Sequence, residues 1–116
     1  MRILVCGDRK WKRMDIIERE LKKFPSDTVV IHGVAIGADA LGASIAEKLG
    51  FEVIPFPAKW KIYGRAAGPI RNQEMLDVGK PELVLAFHEN ISESKGTKDM
   101  VNRARGVGIK VTVVKR

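Results

Sequence analysis

Apolar residues along this chain keep two rhythms that take turns. Arg2–Cys6 is a short continuous apolar run ending in Gly7-Asp8-Arg9, which suits a strand buried on both faces. From Trp11 the apolar positions fall at Met14, Ile17, Leu21 and Phe24, a helical stripe that Pro25-Ser26-Asp27 stops. Thr28–Ile31 is a second β-branched run, ending at His32-Gly33. After Val34-Ala35-Ile36-Gly37 a second helix is predicted from Ala38 to Leu49, with Leu41, Ile45 and Leu49 four residues apart. Its small residues, Ala38, Gly42, Ala43 and Ala46, let it lie close on a sheet. Gly50 caps it, and Phe51–Pro55 is a third strand. Glu82–Phe87 and Ile109–Val114 read as the fourth and fifth. Between them, a polar loop over His88–Lys95 precedes a helix opened by Gly96-Thr97, with Met100, Val101 and Ala104 facing inward and Gly106 and Gly108 at its end.

Strand and helix alternate throughout, and no hairpin turn joins two strands. Parallel neighbours need crossovers, so the pattern predicts an α/β fold: a parallel sheet with helices on both faces. The chain shows no repeat, linker or low-complexity segment, and its 116 residues suit one domain spanning 1–116, burying roughly two-thirds of its unfolded surface.

The stretch from Pro57 to Met75 departs from both rhythms. It is too rich in glycine and proline for one regular element, and it holds Trp60 and Tyr63 among Lys59, Lys61, Arg65 and Arg71, with no acid before Glu74. Its second half reads as a helix running to about Val78, stopped by Gly79-Lys80-Pro81. Gly68 would mark the boundary and Pro69 the first helical position, where a missing N–H costs nothing. Arg71 and Asn72 would then fall in the first turn, beside free N–H groups and the positive end of the dipole. A cation there is unfavourable unless an anion joins it, so the stretch predicts a phosphate site.

Net charge sharpens this. At +7, with a pI near 9.8, the chain favours polyanions or phosphorylated small molecules over cationic partners. The cations are dispersed in sequence, so charge alone does not establish nucleic-acid binding. No apolar run approaches the ~18 residues of a membrane span, and the N-terminus enters a strand pattern directly. One cysteine excludes an internal disulfide and suits the cytoplasm.

In an open parallel sheet, ligands bind outside the carboxyl ends of the strands. Those ends carry Gly7-Asp8-Arg9, His32-Gly33 through Gly37-Ala38-Asp39, the Trp60–Asn72 stretch and the loop to Gly96-Thr97, four turns converging on one rim. Each has a plainer reading. Gly37 also suits a tight turn, Asp39 a helix cap, and Trp60 and Tyr63 core packing or an interface as well as base stacking. Arg71 has Glu74 at helical spacing as a surface partner. His32 and His88 lack metal-ligand spacing, Cys6 reads as a small core residue, and neither a Walker lysine motif nor a complete dinucleotide fingerprint is present. No metal or cofactor is called for.

With these residues in view, the chain resembles the SLOG superfamily, Rossmann-like nucleotide-binding proteins that include LOG-type phosphoribohydrolases and the DprA core, and within it the small YspA-like branch. The matching pieces are Gly-Asp-Arg-Lys-Trp (7–11), His-Gly-Val-Ala-Ile-Gly-Ala-Asp (32–39), Phe-Pro-Ala-Lys-Trp (56–60), Ala-Gly-Pro-Ile-Arg-Asn-Gln-Glu-Met (67–75) and Gly-Thr-Lys-Asp-Met (96–100). The resemblance implies a three-layer α/β/α sandwich with a five-stranded parallel sheet in the order 3-2-1-4-5. It also implies a nucleotide or nucleotide-derived ligand at the rim, and association into dimers through helices beside the site, with the Trp11 or Trp60 regions as candidates. Arg71-Asn72-Gln73-Glu74-Met75 looks like the LOG Arg-Lys-x-x-Met motif, whose arginine is catalytic. Of the LOG Pro-Gly-Gly-x-Gly-Thr-x-x-Glu motif only Gly96-Thr97 is kept, and Met100 stands where the glutamate would be. A thioether can neither act as a base nor stabilise a cationic centre.

The leading expectation is therefore nucleotide binding, with sensing of the ligand as a role it would serve. Gly7, His32, Gly33, Gly37, Gly68, Asn72, Gly96 and Thr97 would line the site, Arg9 and Arg71 would supply charge-assisted bonds, Trp60 or Tyr63 would cover the base, and Asp39 would take a ribose hydroxyl or anchor its turn. A second expectation is a nucleotide hydrolase with Arg71 and either Asp39 or Asp99 as catalytic candidates. A third is DprA-like binding of single-stranded nucleic acid.

Overall fold

A computed structural model describes all 116 residues. Five parallel strands form one sheet: β1 (Arg2–Gly7), β2 (Val29–His32), β3 (Glu52–Pro55), β4 (Leu83–Phe87) and β5 (Lys110–Val114), in the order β3-β2-β1-β4-β5. This is the α/β architecture and strand order that the alternation and the resemblance led us to expect. Strands β1 and β4 lie centrally, and every residue of the β4 run Leu-Val-Leu-Ala-Phe is buried. The edge strands β3 and β5 are half-exposed.

Helices α1 (Met14–Leu21) and α2 (Ala38–Lys48) cover one face, packing Ile16, Ile17, Leu21, Ile45 and Ala46 against Ile3, Val5, Val30 and Leu85. Helices α4 (Ala67–Asp77) and α5 (Lys95–Gly106) cover the other, packing Met75, Leu76, Met100, Val101 and Ala104 against Leu4, Cys6, Ile31, Val84 and Ala86. Each fully buried aliphatic side chain contributes roughly 1.5–3 kcal/mol, so the alternating faces of β1 hold two cores at once. A methyl group at Gly42 would come 2.7 Å from Val5, which is how closely α2 lies on the sheet.

Three local expectations are corrected. Trp11 does not begin a helix: α1 starts at Met14, which is exposed, while Trp11 is buried in the preceding loop against Phe87, its ring centroid 5.6 Å away. The indole N–H donates to the Arg13 carbonyl at 3.1 Å, so a buried tryptophan is satisfied locally and Trp11 offers no surface for a second subunit. The irregular stretch after Pro57 is also largely helical. A short helix α3 (Trp60–Tyr63) leads through a 3₁₀ turn over Gly64–Ala66 into α4. Helix α4 thus begins at Ala67, two residues before Pro69, and a proline in the first turn removes only an N–H that has no partner in the helix. Arg71 is the fifth residue of α4 and Asn72 the sixth, both beyond the first turn, so the dipole argument for an anion beside them does not hold.

The loop between β2 and α2 is pinned to the loop after β1. Gly37, at φ +76°, has its α-carbon against the backbone of Asp8 and Arg9, and the Asp8 carbonyl accepts from the Ala38 N–H at 3.0 Å. Replacing Gly37 by Ala should lower stability by about 3 kcal/mol, since left-handed strain and a backbone clash combine there. Gly50→Ala, also left-handed at φ +84° but facing open space, should lose only about 1–2 kcal/mol. Urea unfolding of the two variants checks the ranking, and equal losses would mean that the Asp8–Gly37 contact contributes nothing.

Candidate functional site

The carboxyl ends of β1, β2 and β4 carry Gly7, His32 and Phe87, and the loops that leave them meet above Cys6. Gly7 leaves no room for a side chain, a Cβ there lying 2.9 Å from that of Ala38. At the centre lies Gly33, and the side chains of α2 and α4 meet on its two peptide groups. The Asp39 carboxylate accepts from the Gly33 N–H at 2.9 Å, while Arg71 Nη1 donates to the Gly33 carbonyl. The guanidinium lies directly on the glycine, since a Cβ would come 2.6 Å from Arg71 Cζ. Gly33 is glycine because Arg71 occupies the space.

Arg71 is itself held. Its Nε donates to Asn72 Oδ1 at 3.0 Å, and buried Asn72 donates from Nδ2 to Asp99 Oδ2 at 2.9 Å and toward the Gly96 carbonyl at 3.4 Å. Asp99 Oδ2 also accepts from Arg103 Nε at 2.8 Å, and Arg103 Nη1 donates to Gln73 Oε1 at 2.9 Å. One polar ladder therefore runs from Gly33 through Arg71, Asn72, Asp99 and Arg103, tying β2, α4 and α5 together. Glu74, the surface partner weighed for Arg71, takes no part.

Burial sets the electrostatics. It pushes the Asp39 carboxyl up to about 6, against the opposing pull of the Gly33 N–H, the Arg71 charge and the Ala35 N–H. Burial lowers Arg71, which Asp39 and then Cys6 oppose. Burial also lowers His32, against Glu47 and with the help of Arg71. The His32 Nδ1 accepts from the Val34 N–H at 3.2 Å, which leaves the proton on Nε2 and keeps the ring neutral. Cys6 is buried beneath the same charges, and burial raises its thiol far above the ordinary range, so it is a core residue without nucleophilic character.

The other named residues take distinct places. Arg9 is exposed, and Gly37 has the tight-turn role described above. Trp60 and Tyr63 are 60% and 46% exposed, which removes core packing from their readings. The rim of the Trp60 ring lies over Gly68, where a Cβ would be 3.5 Å from Cη2, one helical turn from Arg71. Gly96 is open, and Thr97 is buried with its N–H donating to the Ser94 cap at 3.1 Å. Met100 is 1% exposed and packs in the core, so the position matched to a LOG glutamate does not face the rim. His88 accepts from the Asn90 N–H through Nδ1, and no three His, Cys, Asp or Glu side chains lie together to hold a metal.

Two features escaped the sequence reading. The Asp99–Arg103 pair sits at i, i+4 on one helix and was visible as a pattern, but its junction with Asn72 and Gln73 needs the fold. Val34 adopts φ +60°, rare for a β-branched residue, and no composition signal marks it. A cavity of about 550 Å³ lies away from Gly33, along the outer side of α4. Charge and buried polar groups converge at the rim instead.

The fold also gathers charge that the sequence disperses. The loops at the carboxyl end, with the helical turns they enter, carry twelve of the 21 cations: Arg9, Lys10, Lys12 and Arg13; Lys59, Lys61, Arg65 and Arg71; Lys95 and Lys98; Lys115 and Arg116. Seven of the 14 acids share this end (Asp8, Asp15, Glu18, Asp39, Glu89, Glu93 and Asp99, with Glu18 and Asp99 at the same fifth helical position as Arg71), which leaves it +5 of the net charge of +7. No helix is long and apolar enough to cross a membrane.

A model of the YspA, cpYpsA-related SLOG family matches residues 1–63. The Gene 61 protein of Mycobacterium phage D29 is 36% identical over 119 residues, covering 95% of this chain and 93% of the phage protein. Among solved structures, DNA processing protein A (DprA) from Streptococcus pneumoniae superposes with a TM-score of 0.60 at 15% identity, over 96% of this chain. The chain spans 58% of that structure, and the likeness is one of fold.

The buried aspartate predicts an unusual pH dependence. Its folded pKa, about 6, lies above the unfolded value of 3.8, so the folded form takes up the proton first. Stability from this group should rise as pH falls from 6 toward 4, by up to about 3 kcal/mol, and be absent above pH 7. Asp39→Asn should remove that dependence, and urea unfolding of both proteins between pH 4 and 7.5 measures it. Parallel pH profiles would refute the assignment.

Proposed function

The chain belongs to the YspA, cpYpsA-related SLOG family, and we propose that it binds a nucleotide or nucleotide-derived phosphorylated ligand at the carboxyl-end rim, as a sensor of that ligand. The observation that carries this reading is the concentration of most of the net charge on the rim around a half-buried arginine. Opposite charge gathered over a cleft raises the local concentration of an anion and its association rate. Arg71 spends Nη1 and Nε within the protein, which fixes the plane of the guanidinium and leaves Nη2 for a phosphate oxygen. Lys95, Gly96 and Lys98 place two cations and an open backbone at the start of α5, where a phosphate is favoured. Trp60, whose ring edge lies over Gly68 one helical turn before Arg71, offers an exposed face for a base.

In this reading Gly33 and Asp39 build the floor, since the Gly33 N–H and carbonyl are both taken within the protein. Bond cleavage finds little support in the side chains. Met100 is in the core, Asp99 spends one oxygen on Asn72 and Arg103, and the Asp39 carboxylate is 5% exposed and turned to Gly33. We therefore assign Arg71 to binding.

One observation favours a second reading, single-stranded nucleic acid. The rim cations reach from the loop after β3 to the end of β5, across the full width of the sheet, and two exposed aromatics stand among them. Base stacking on aromatics beside a basic track suits such a strand.

Native mass spectrometry of the protein as purified should find a retained nucleotide, and calorimetric titration with nucleoside phosphates and dinucleotides should rank the class. Arg71→Ala should weaken binding about 10- to 100-fold, the loss of one charge-assisted hydrogen bond. Unchanged affinity for every nucleotide tested would sink the reading. Affinity for oligonucleotides of any sequence that falls steeply between 50 and 200 mM salt would select the second.

A further inference from the structure

Asp39 is the one buried carboxylate among the 14 acids of this chain, and no cation lies within ion-pair distance of it. The Gly33 N–H donates to it, whereas Arg71, also outside every ion pair, donates to the Gly33 carbonyl. The two charges thus share one glycine from opposite layers without touching. Each still feels the other: burial raises Asp39 and Arg71 opposes the rise, while burial lowers Arg71 and Asp39 opposes the fall. A buried carboxylate stabilised by one distant cation responds strongly when a second anion claims that cation.

We propose that an anion bound at Arg71 is taken up together with a proton from solvent, and that the proton goes to the Asp39 carboxylate. Two anions then flank one guanidinium, and the one without access to water gives up its charge. The neutral acid keeps a carbonyl oxygen to accept from the Gly33 N–H, so the floor of the site is preserved. The proposal rests on the reading that a phosphate group meets Arg71, and it adds what regulates that site.

The other ionisable groups near Asp39 have different situations. Cys6, beneath it on β1, is kept neutral by burial. His32, on β2, is pushed below 6.5 by burial, against Glu47 of α2. His88, after β4, turns Nδ1 to the Asn90 N–H. Asp8 and Arg9, in the loop after β1, meet Gly37 and Ala38 through their backbone carbonyls. Asp99 and Arg103 of α5 pair with each other and reach Arg71 only through Asn72.

In the free protein burial places the Asp39 titration at about 6, so below that pH the proton is already in place. Above pH 7 binding has to draw it from solvent. Affinity should therefore fall as pH rises from 5.5 to 7.5, by about tenfold if binding raises the Asp39 value by about one unit.

Calorimetric titration at constant ionic strength tests this with sulfate and with a dinucleoside diphosphate, anions whose own charge does not change over that range. At pH 6.5, in two buffers of different ionisation heat, it should count about half a proton taken up per anion bound. Asp39→Asn should bring the ratio of affinities at pH 5.5 and 7.5 close to one and abolish the proton uptake. His32→Asn, whose Oδ1 can still accept from the Val34 N–H, should keep both. Equal wild-type affinities at the two pH values, with no proton uptake, overturn the coupling and leave the functional reading intact. Coupling that survives in Asp39→Asn overturns the assignment to Asp39. Absence of binding by either anion at both pH values overturns the functional reading and this proposal with it.

Discussion

Everything at the rim depends on one glycine held from two sides. Gly33 gives its N–H to Asp39 and its carbonyl to Arg71, and the absent side chain is what lets the guanidinium lie on the backbone. Asp39 comes from α2 on one face of the sheet and Arg71 from α4 on the other. The lock therefore joins the two layers across the end of β2, at the place where ligands of open parallel sheets bind. An acid and an arginine that both face a buried backbone group would be expensive alone. Together each lowers the electrostatic penalty of the other, and burial still pushes the Asp39 carboxyl up to about 6.

The framework was legible because both rhythms of hydrophobicity are clean. Runs such as Leu83–Phe87 have no polar interruption, and the small residues of α2 announce close packing that the Gly42–Val5 contact bears out. Legibility failed where local and tertiary preferences compete. Pro69 is a good first helical residue, but the preceding 3₁₀ turn lets the helix start two residues earlier, and a proline in the third position loses nothing. Trp11 fits the helical stripe by spacing, yet its size fills the gap above Phe87. The polar ladder was unreadable for another reason: its members are scattered over residues 33 to 103, and only the crossovers bring them together.

The charge pattern illustrates the same point from the other direction. In sequence the cations are dispersed and say little. In space the loops after β1, β3 and β4 and the end of β5 face one way, so the rim carries most of the excess. The topology produces this, because every loop leaving a parallel strand at its carboxyl end emerges on the same side.

Met100 marks where this chain departs from the LOG pattern. Helix α5 keeps Gly96 exposed and Thr97 buried at its start, and its next turn is turned inward by Met100, Val101 and Ala104. A carboxylate at position 100 would have to be charged inside the core formed by Leu4, Cys6, Met75 and Val84, at a penalty of several kcal/mol. Asp99, about 100° round the helix, escapes that core but is drawn to Asn72 and Arg103. The acid nearest the lost position thus serves to hold Arg71 in place. At the position where the resemblance would put a glutamate this chain has core packing, and the neighbouring acid holds Asn72 and, through it, Arg71.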